Sequence, residues 1–158
     1  MDLYKDIESR TGGEIYIGVV GPVRTGKSTF INYLKSASKK RIICACPTAV
    51  SALNVGGQTI HSLFQIQPRD FIMPELLKLK AKPRNILNAT DVLIIDEISM
   101  VRADLLDAVD MTLRKYRRND RPFGGVQLLM IGDAQQLSPV VKEAERQYMS
   151  QVYQSPYF

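Results

Sequence analysis

The octet from Gly21 to Ser28, GPVRTGKS, constrains this chain more than any other stretch. It fills the pattern G-x-x-x-x-G-K-[ST] with Gly21, Gly26, Lys27 and Ser28, and its flanks suit the pattern. Glu14 to Val20 is apolar and β-rich, and Ser28 to Lys35 has helix-forming character. A strand that turns tightly into a helix leaves several backbone N–H groups unpaired and aimed at one spot. The helix dipole adds positive potential there. The expectation is a phosphate loop in which Gly21, Arg24, Thr25, Gly26, Lys27, Ser28 and Thr29 surround a nucleotide. Lys27 would meet the terminal phosphates and Ser28 would offer its hydroxyl to Mg²⁺. A glycine turn that merely precedes a helix is the alternative; a complete match in the right local setting argues against it.

A phosphate loop needs acids nearby, and Asp96-Glu97 supplies them after the apolar run DVLIID. At a strand end Asp96 can hold Mg²⁺ through its water shell. Glu97 can take the proton of a water attacking the terminal phosphate. A D-E pair also commonly caps a helix, so its position after a buried strand carries the argument. The D-x-x-G and N-K-x-D patterns of switch-type GTPases are absent, which points to an ATPase whose base directly follows its metal-binding acid. A further apolar run, Val126 to Ile131, precedes GDAQQLSP. In a parallel sheet of this kind that strand should lie between the first strand and the Asp96 strand. Gln136 would then sense the terminal phosphate, although an exposed loop amide is an equal reading from spacing alone.

Between these motifs, strands are expected at Arg41 to Cys46 and Asp91 to Asp96, with a short helix from Thr48 to Asn54. Residues up to Gly13 read as a short polar helix, and Gln58 to Ile66 as irregular or briefly ordered. Pro68, Pro74 and Pro83 break the pattern between Gln67 and Ala89, with Glu75 to Leu79 a candidate helical turn. Leu105, Leu106, Val109, Leu113 and Tyr116 stripe a helix from about Arg102 to Arg117. Asp104, Asp107 and Asp110 near its start, and Arg114 and Arg117 near its end, suit the helix dipole. Asn119 to Gly125 reads as a turn-rich loop, and a last helix as running from about Lys142 to Tyr153. Alternating strands and helices specify an α/β fold: a mostly parallel sheet with helices on both faces, in one domain spanning residues 1–158.

Cys44 and Cys46 fall within a strand, where their side chains are expected to face opposite ways, reduced and buried. The start, MDLYKDIESR, has no secretory core, and the apolar runs are too short to span a bilayer, so an intracellular protein, cytoplasmic or nuclear, is expected. The net charge of +5 favours an anionic partner. Its cations cluster at 39–41, 78–84 and 114–121; such clusters become a nucleic-acid footprint only if they share a face.

The segments CPTAVSALNVGGQTIHSLFQI, DVLIIDEISMVRADLLDAVD, PFGGVQLLMIGDAQQLSPVVKE and YQSPYF, in this order, resemble the Pif (petite integration frequency) DNA helicases of superfamily one. The resemblance covers about Cys44 to Phe158. It implies a RecA-like phosphate-loop motor domain that hydrolyses ATP with Mg²⁺ while gripping single-stranded DNA. It gives Lys27, Ser28, Asp96, Glu97 and Gln136 the phosphate, metal, base and sensor roles above. It places Pro47, Thr48, His61, Ser62 and Phe64 in DNA-contacting motifs: Thr48 and Ser62 on phosphate oxygens, Phe64 stacking on a base or supporting the loop that does. Without it, His61 reads as a structural histidine. The opening differs: Arg24 and Val23 stand where these helicases usually carry glycine and alanine, and no adenine-reading glutamine occurs in the first thirteen residues. Residues 1–31 instead resemble the spore-coat morphogenetic ATPase of endospore formers, which suggests a mosaic joined near Phe30. Two other functions follow as alternatives: a self-assembling structural ATPase, or a nucleotide-binding domain with negligible turnover. Such helicases work in a cleft between two RecA-like domains, so this half is expected to hydrolyse slowly and not to unwind DNA alone.

Overall fold

The computed structural model describes residues 17–20, 26–67, 78–133 and 139–153. Gly21, Arg24, Thr25 and Gln136, the helix expected before Gly13 and most of the turn expected at Glu75 to Leu79 lie outside these residues.

Five strands form one parallel sheet. In chain order they are β1 (Ile17–Val20), β2 (Ile42–Cys46), β3 (Gln58–Thr59), β4 (Val92–Asp96) and β5 (Gln127–Gly132). Their spatial order is β1-β5-β4-β2-β3, so β5 lies between the first strand and the Asp96 strand, as expected from the motifs. The register pairs Val20 with Gly132 and Ile131 with Asp96, which aligns the carboxyl ends of the strands on one edge.

The helices are α1 (Lys27–Ala37), α2 (Ala49–Asn54), α3 (Ile60–Phe64), α4 (Ala81–Ala89), α5 (Ala103–Arg117) and α6 (Glu143–Tyr153). Period-two alternation of the strands divides the core into two layers. Ala45, Leu93, Ile95 and Leu128 face a layer completed by α3 and the stripe Leu105, Val109 and Leu113 of α5. Cys44, Cys46, Ile94, Leu129 and Ile131 face the other, against Ile31 of α1 and Ala52 of α2. Each fully buried leucine or valine of that stripe contributes about 1.5–3 kcal/mol.

Two local expectations are corrected, and one that left two readings is resolved. Cys44 and Cys46 share a face, because residues two apart in a strand point the same way; both are buried and free. Burial and the nearby Asp96 charge push the Cys46 thiol up to about 12, which leaves it unreactive. Gln58 to Ile66 is ordered. The Thr59 hydroxyl accepts from the Ser62 N–H at 3.1 Å and starts α3, whose Ile60, Leu63 and Phe64 are buried at helical spacing. Finally, Pro83 does not break a helix but lies in the first turn of α4, where a missing N–H removes no intrahelical bond. The far end of α4 is held by Arg117, whose Nη1 donates to the carbonyls of Leu87, Asn88 and Thr90 at 2.9–3.0 Å.

Close approach at two glycines sets where the sheet's carboxyl edge goes. A Cβ on Gly57 would lie 2.6 Å from the Cys44 carbonyl, so glycine lets the chain enter β3 against β2. A Cβ on Gly132 would lie 2.8 Å from Ile98, so glycine lets the end of β5 close onto the turn that follows Glu97.

Candidate nucleotide and nucleic-acid site

Every motif singled out in the described residues lies at the carboxyl edge of the sheet. Gly26 and Lys27 open the helix that comes after β1 in the chain, Pro47 and Thr48 follow β2, His61 and Ser62 follow β3, and Asp96 ends β4 with Glu97 next to it. Ligands of open α/β sheets bind at this edge because the helix N-termini converge there.

Gly26 caps α1 at φ 82°, a left-handed conformation that glycine adopts without a Cβ penalty. Lys27 and Ser28 open the helix, and no acid sits in its first turn to oppose an anion. Thr29 is exposed on the same turn.

Asp96 is buried at 6% exposure and accepts from the Glu97 N–H at 3.0 Å through Oδ1. Burial raises its pKa, opposed by that hydrogen bond and by the charge of Lys27. The Lys27 charge thus acts on Asp96. A desolvated carboxylate beside the start of α1 fits a divalent cation, since a cation would relieve the cost of its burial.

Glu97 has φ 56° and ψ 46°, uncommon for a residue with a side chain, at a cost of about 1–3 kcal/mol. Its Oε2 is buried with no hydrogen-bond partner among the described residues, and so is Oγ of Ser99 in the same turn. A half-buried, strained carboxylate with one buried, unpaired oxygen suits a base that takes a proton from substrate water, and a helix cap has no such need.

The second group of motif residues divides. Pro47 and Thr48 are half-buried, and the Thr48 hydroxyl caps α2 by accepting from the Ser51 N–H at 3.2 Å. His61 is half-buried, and burial lowers its pKa, so it is neutral at physiological pH. Ser62 is exposed. Phe64 is fully buried in the core layer beneath them, which corrects the expectation of stacking: no face is open to a base.

Spacing did not reveal one polar cluster. Arg102 donates to both carboxylate oxygens of Asp104 at 2.7–3.0 Å and to both of Glu145 at 3.0 Å. The cluster joins the start of α5, just beyond the Glu97 turn, to α6. Its signal was the acid expected to serve the helix dipole at Asp104; the second acid on Arg102, Glu145, lies across the fold.

A parallel α/β sheet with a lysine-bearing helix start and a buried acid at the next motif defines a RecA-like phosphate-loop domain. The chain belongs to the PIF1-like helicase family, whose model matches residues 2–157. It is 38% identical over 143 residues to the ATP-dependent DNA helicase RRM3 of Saccharomyces cerevisiae, covering 85% of this chain and 20% of that protein. It is 39% identical over 137 residues to the ATP-dependent DNA helicase PIF1 of Emericella nidulans, covering 80% and 18%. The Bacteroides Pif1 helicase in complex with ADP-AlF3 and ssDNA superposes with a TM-score of 0.85 at 40% identity, covering 100% of this chain and 38% of that one. The chain therefore spans about a fifth of the length of these curated relatives. The family match begins at residue 2 and takes in the opening stretch, so the spore-coat resemblance and the idea of a mosaic find no support in it.

The Asp96 environment gives a pH-dependent prediction. The folded pKa lies above the usual carboxylate value, so the unfolded state is more readily ionised and Asp96 opposes folding at neutral pH. Without nucleotide or metal, Asp96→Asn should therefore raise the thermal midpoint at pH 7. The gain should fade as the pH falls into the carboxylate range, where the wild-type side chain is also neutral. Equal midpoints at pH 7 would contradict the desolvated site.

Proposed function

We propose that this chain is the nucleotide-hydrolysing half of a DNA helicase motor, a single RecA-like domain that binds Mg²⁺–ATP and contacts single-stranded DNA. The observation that carries the reading is buried Asp96 beside half-buried Glu97, with the Lys27 charge acting on Asp96 and one buried Glu97 oxygen lacking a partner among the described residues. Gly21, Arg24, Thr25, Gly26 and Thr29 wrap the phosphates with backbone and hydroxyl donors. Lys27 balances the charge on the terminal phosphates. Ser28 and Asp96 hold Mg²⁺, which when bound neutralises charge that builds on the transferred phosphoryl group. Glu97 takes a proton as the water oxygen bonds to phosphorus and the bond to the ADP oxygen breaks. Gln136 would report that change from the loop after β5.

Thr48, His61 and Ser62 form the DNA-facing group beside Pro47, and Phe64 supports them from the core. A neutral His61 contributes a hydrogen bond or a stacking face, not a charge. Both sites share one sheet edge, so closure on nucleotide can move the loops that touch DNA. The reading includes a second RecA-like domain, in the same or another chain, that completes the ATP cleft; without it turnover is slow. A DNA partner places the protein inside the cell, in cytoplasm or nucleus, and no helix among the described residues is long and apolar enough to cross a membrane.

The test is ATP turnover by the 158-residue chain with and without an unpaired oligonucleotide. Stimulation by the oligonucleotide that is lost in a His61→Ala, Ser62→Ala variant is the expected result. Turnover indifferent to DNA would contradict the motor reading.

A further inference from the structure

Arg84, the last cation of one basic cluster, meets three cations of another some thirty residues further along the chain in one groove. It has a volume of about 730 Å³, lies between α4 and α5, and is lined by Arg84, Lys115, Arg117 and Arg118 with no carboxylate. The two helices end beside the starts of β4 and β5, so the groove is at the edge of the sheet opposite Asp96. Along β4 that separation is about 13 Å, at ~3.3 Å per residue.

The simplest explanation of cations here is the pair of helix C-termini, and it accounts for Arg117, which is occupied with the last carbonyls of α4 and with Gly124 at 2.9 Å. It does not account for Arg84, and it leaves the backbone cost at Arg118 unexplained. Arg84 lies in the first turn of α4, where the dipole disfavours a cation. Arg118 adopts φ 53° at the end of α5, a position that usually falls to glycine and costs a larger residue about 1–2 kcal/mol. Both side chains are exposed, and neither has an ion pair or hydrogen bond among the described residues.

We infer that this groove is a second binding site, for the phosphodiester backbone of a nucleic-acid strand. Guanidinium forks donate paired hydrogen bonds to phosphate oxygens. The amides of Asn85, Asn88 and Asn119, which also line the groove, add neutral donors of the kind that contact nucleic-acid backbones. An acidic peptide would also need apolar anchoring pockets, and the lining supplies only Tyr116, whose hydroxyl already accepts from the Leu79 N–H at 2.8 Å. The inference is independent of the site at the carboxyl edge, although it deepens the DNA-binding reading proposed above.

The experiment is fluorescence anisotropy of a labelled unpaired oligonucleotide with the 158-residue chain, titrated between about 50 and 200 mM salt. Removing two phosphate contacts with Arg84→Gln plus Arg118→Gln should reduce the slope of log affinity against log salt by about 1.4. Arg84→Lys plus Arg118→Lys should restore most of it. Thermal midpoints matching wild type show that the variants fold, as both side chains are exposed. Loss of binding in His61→Ala plus Ser62→Ala, with the arginine variant unchanged, overturns the groove and leaves the carboxyl-edge reading standing. Loss in the arginine variant alone supports the groove and overturns that reading. No binding by wild type overturns both. Equal binding of a polyglutamate probe of the same charge overturns the choice of nucleic acid.

Discussion

Glu97→Gln should lower ATP turnover by about 10²–10⁴-fold while leaving nucleotide affinity close to wild type. The substitution keeps the shape of the side chain and the left-handed backbone at residue 97, and removes only the ability to take up a proton. Because one Glu97 oxygen has no partner among the described residues, the change breaks no hydrogen bond described there. Lys27→Ala should behave differently and lose affinity together with turnover, because its charge acts on the bound phosphates in the ground state as well. Single-turnover phosphate release measures the first effect, and titration with a fluorescent ATP analogue the second. Hydrolysis by Glu97→Gln at the wild-type rate would assign the base elsewhere; weakened binding by the same variant would make Glu97 a structural residue.

The strands and the site were legible because they obey a local rule and a chemical one. Buried parallel strands read as short apolar runs, and the position of β5 between β1 and β4 followed from the kind of parallel sheet that the motifs implied. The place of Asp96 was legible in the same way, as the acid that ends an apolar strand downstream of the phosphate-loop pattern. What escaped the sequence was decided by tertiary contact or by exact position. Pro83 is a breaker inside a helix and an acceptable residue in its first turn; only the start at Ala81 distinguishes the two. Phe64 reads as an aromatic in a DNA motif, yet Ile60 and Leu63 beside it carry the same buried stripe, and burial took it. The period-two rule, correctly applied, would have placed Cys44 and Cys46 on one face. The convergence of Arg84 with Arg118 depends on how α4 packs on α5, which no local pattern encodes.

Replacing Arg102 by alanine should destabilise the fold by about 3–5 kcal/mol, since it strands two carboxylates that need its charge. Asp104 and Glu145 are 5% and 2% exposed, and neither can recover water without local opening. Burial by itself would lower the pKa of Arg102, but hydrogen bonds and charge from both acids outweigh it and raise it, so the guanidinium stays charged. In a domain of this size the loss corresponds to about 6–20 °C in thermal midpoint. A wholly apolar replacement of the three side chains would remove the stranded charge, yet it would not restore stability fully. The Leu105 N–H donates to Asp104 at 2.9 Å and the Lys142 N–H to Glu145 at 2.9 Å, so two backbone donors would lose their acceptors, at about 1–3 kcal/mol each if buried. Arg102→Lys should fall between wild type and alanine, because an ammonium keeps the charge but cannot present two forks at once. Urea unfolding of the three variants measures the order. Alanine matching wild type would show that the carboxylates are already solvated, and would unfasten α6 from the turn that carries Glu97.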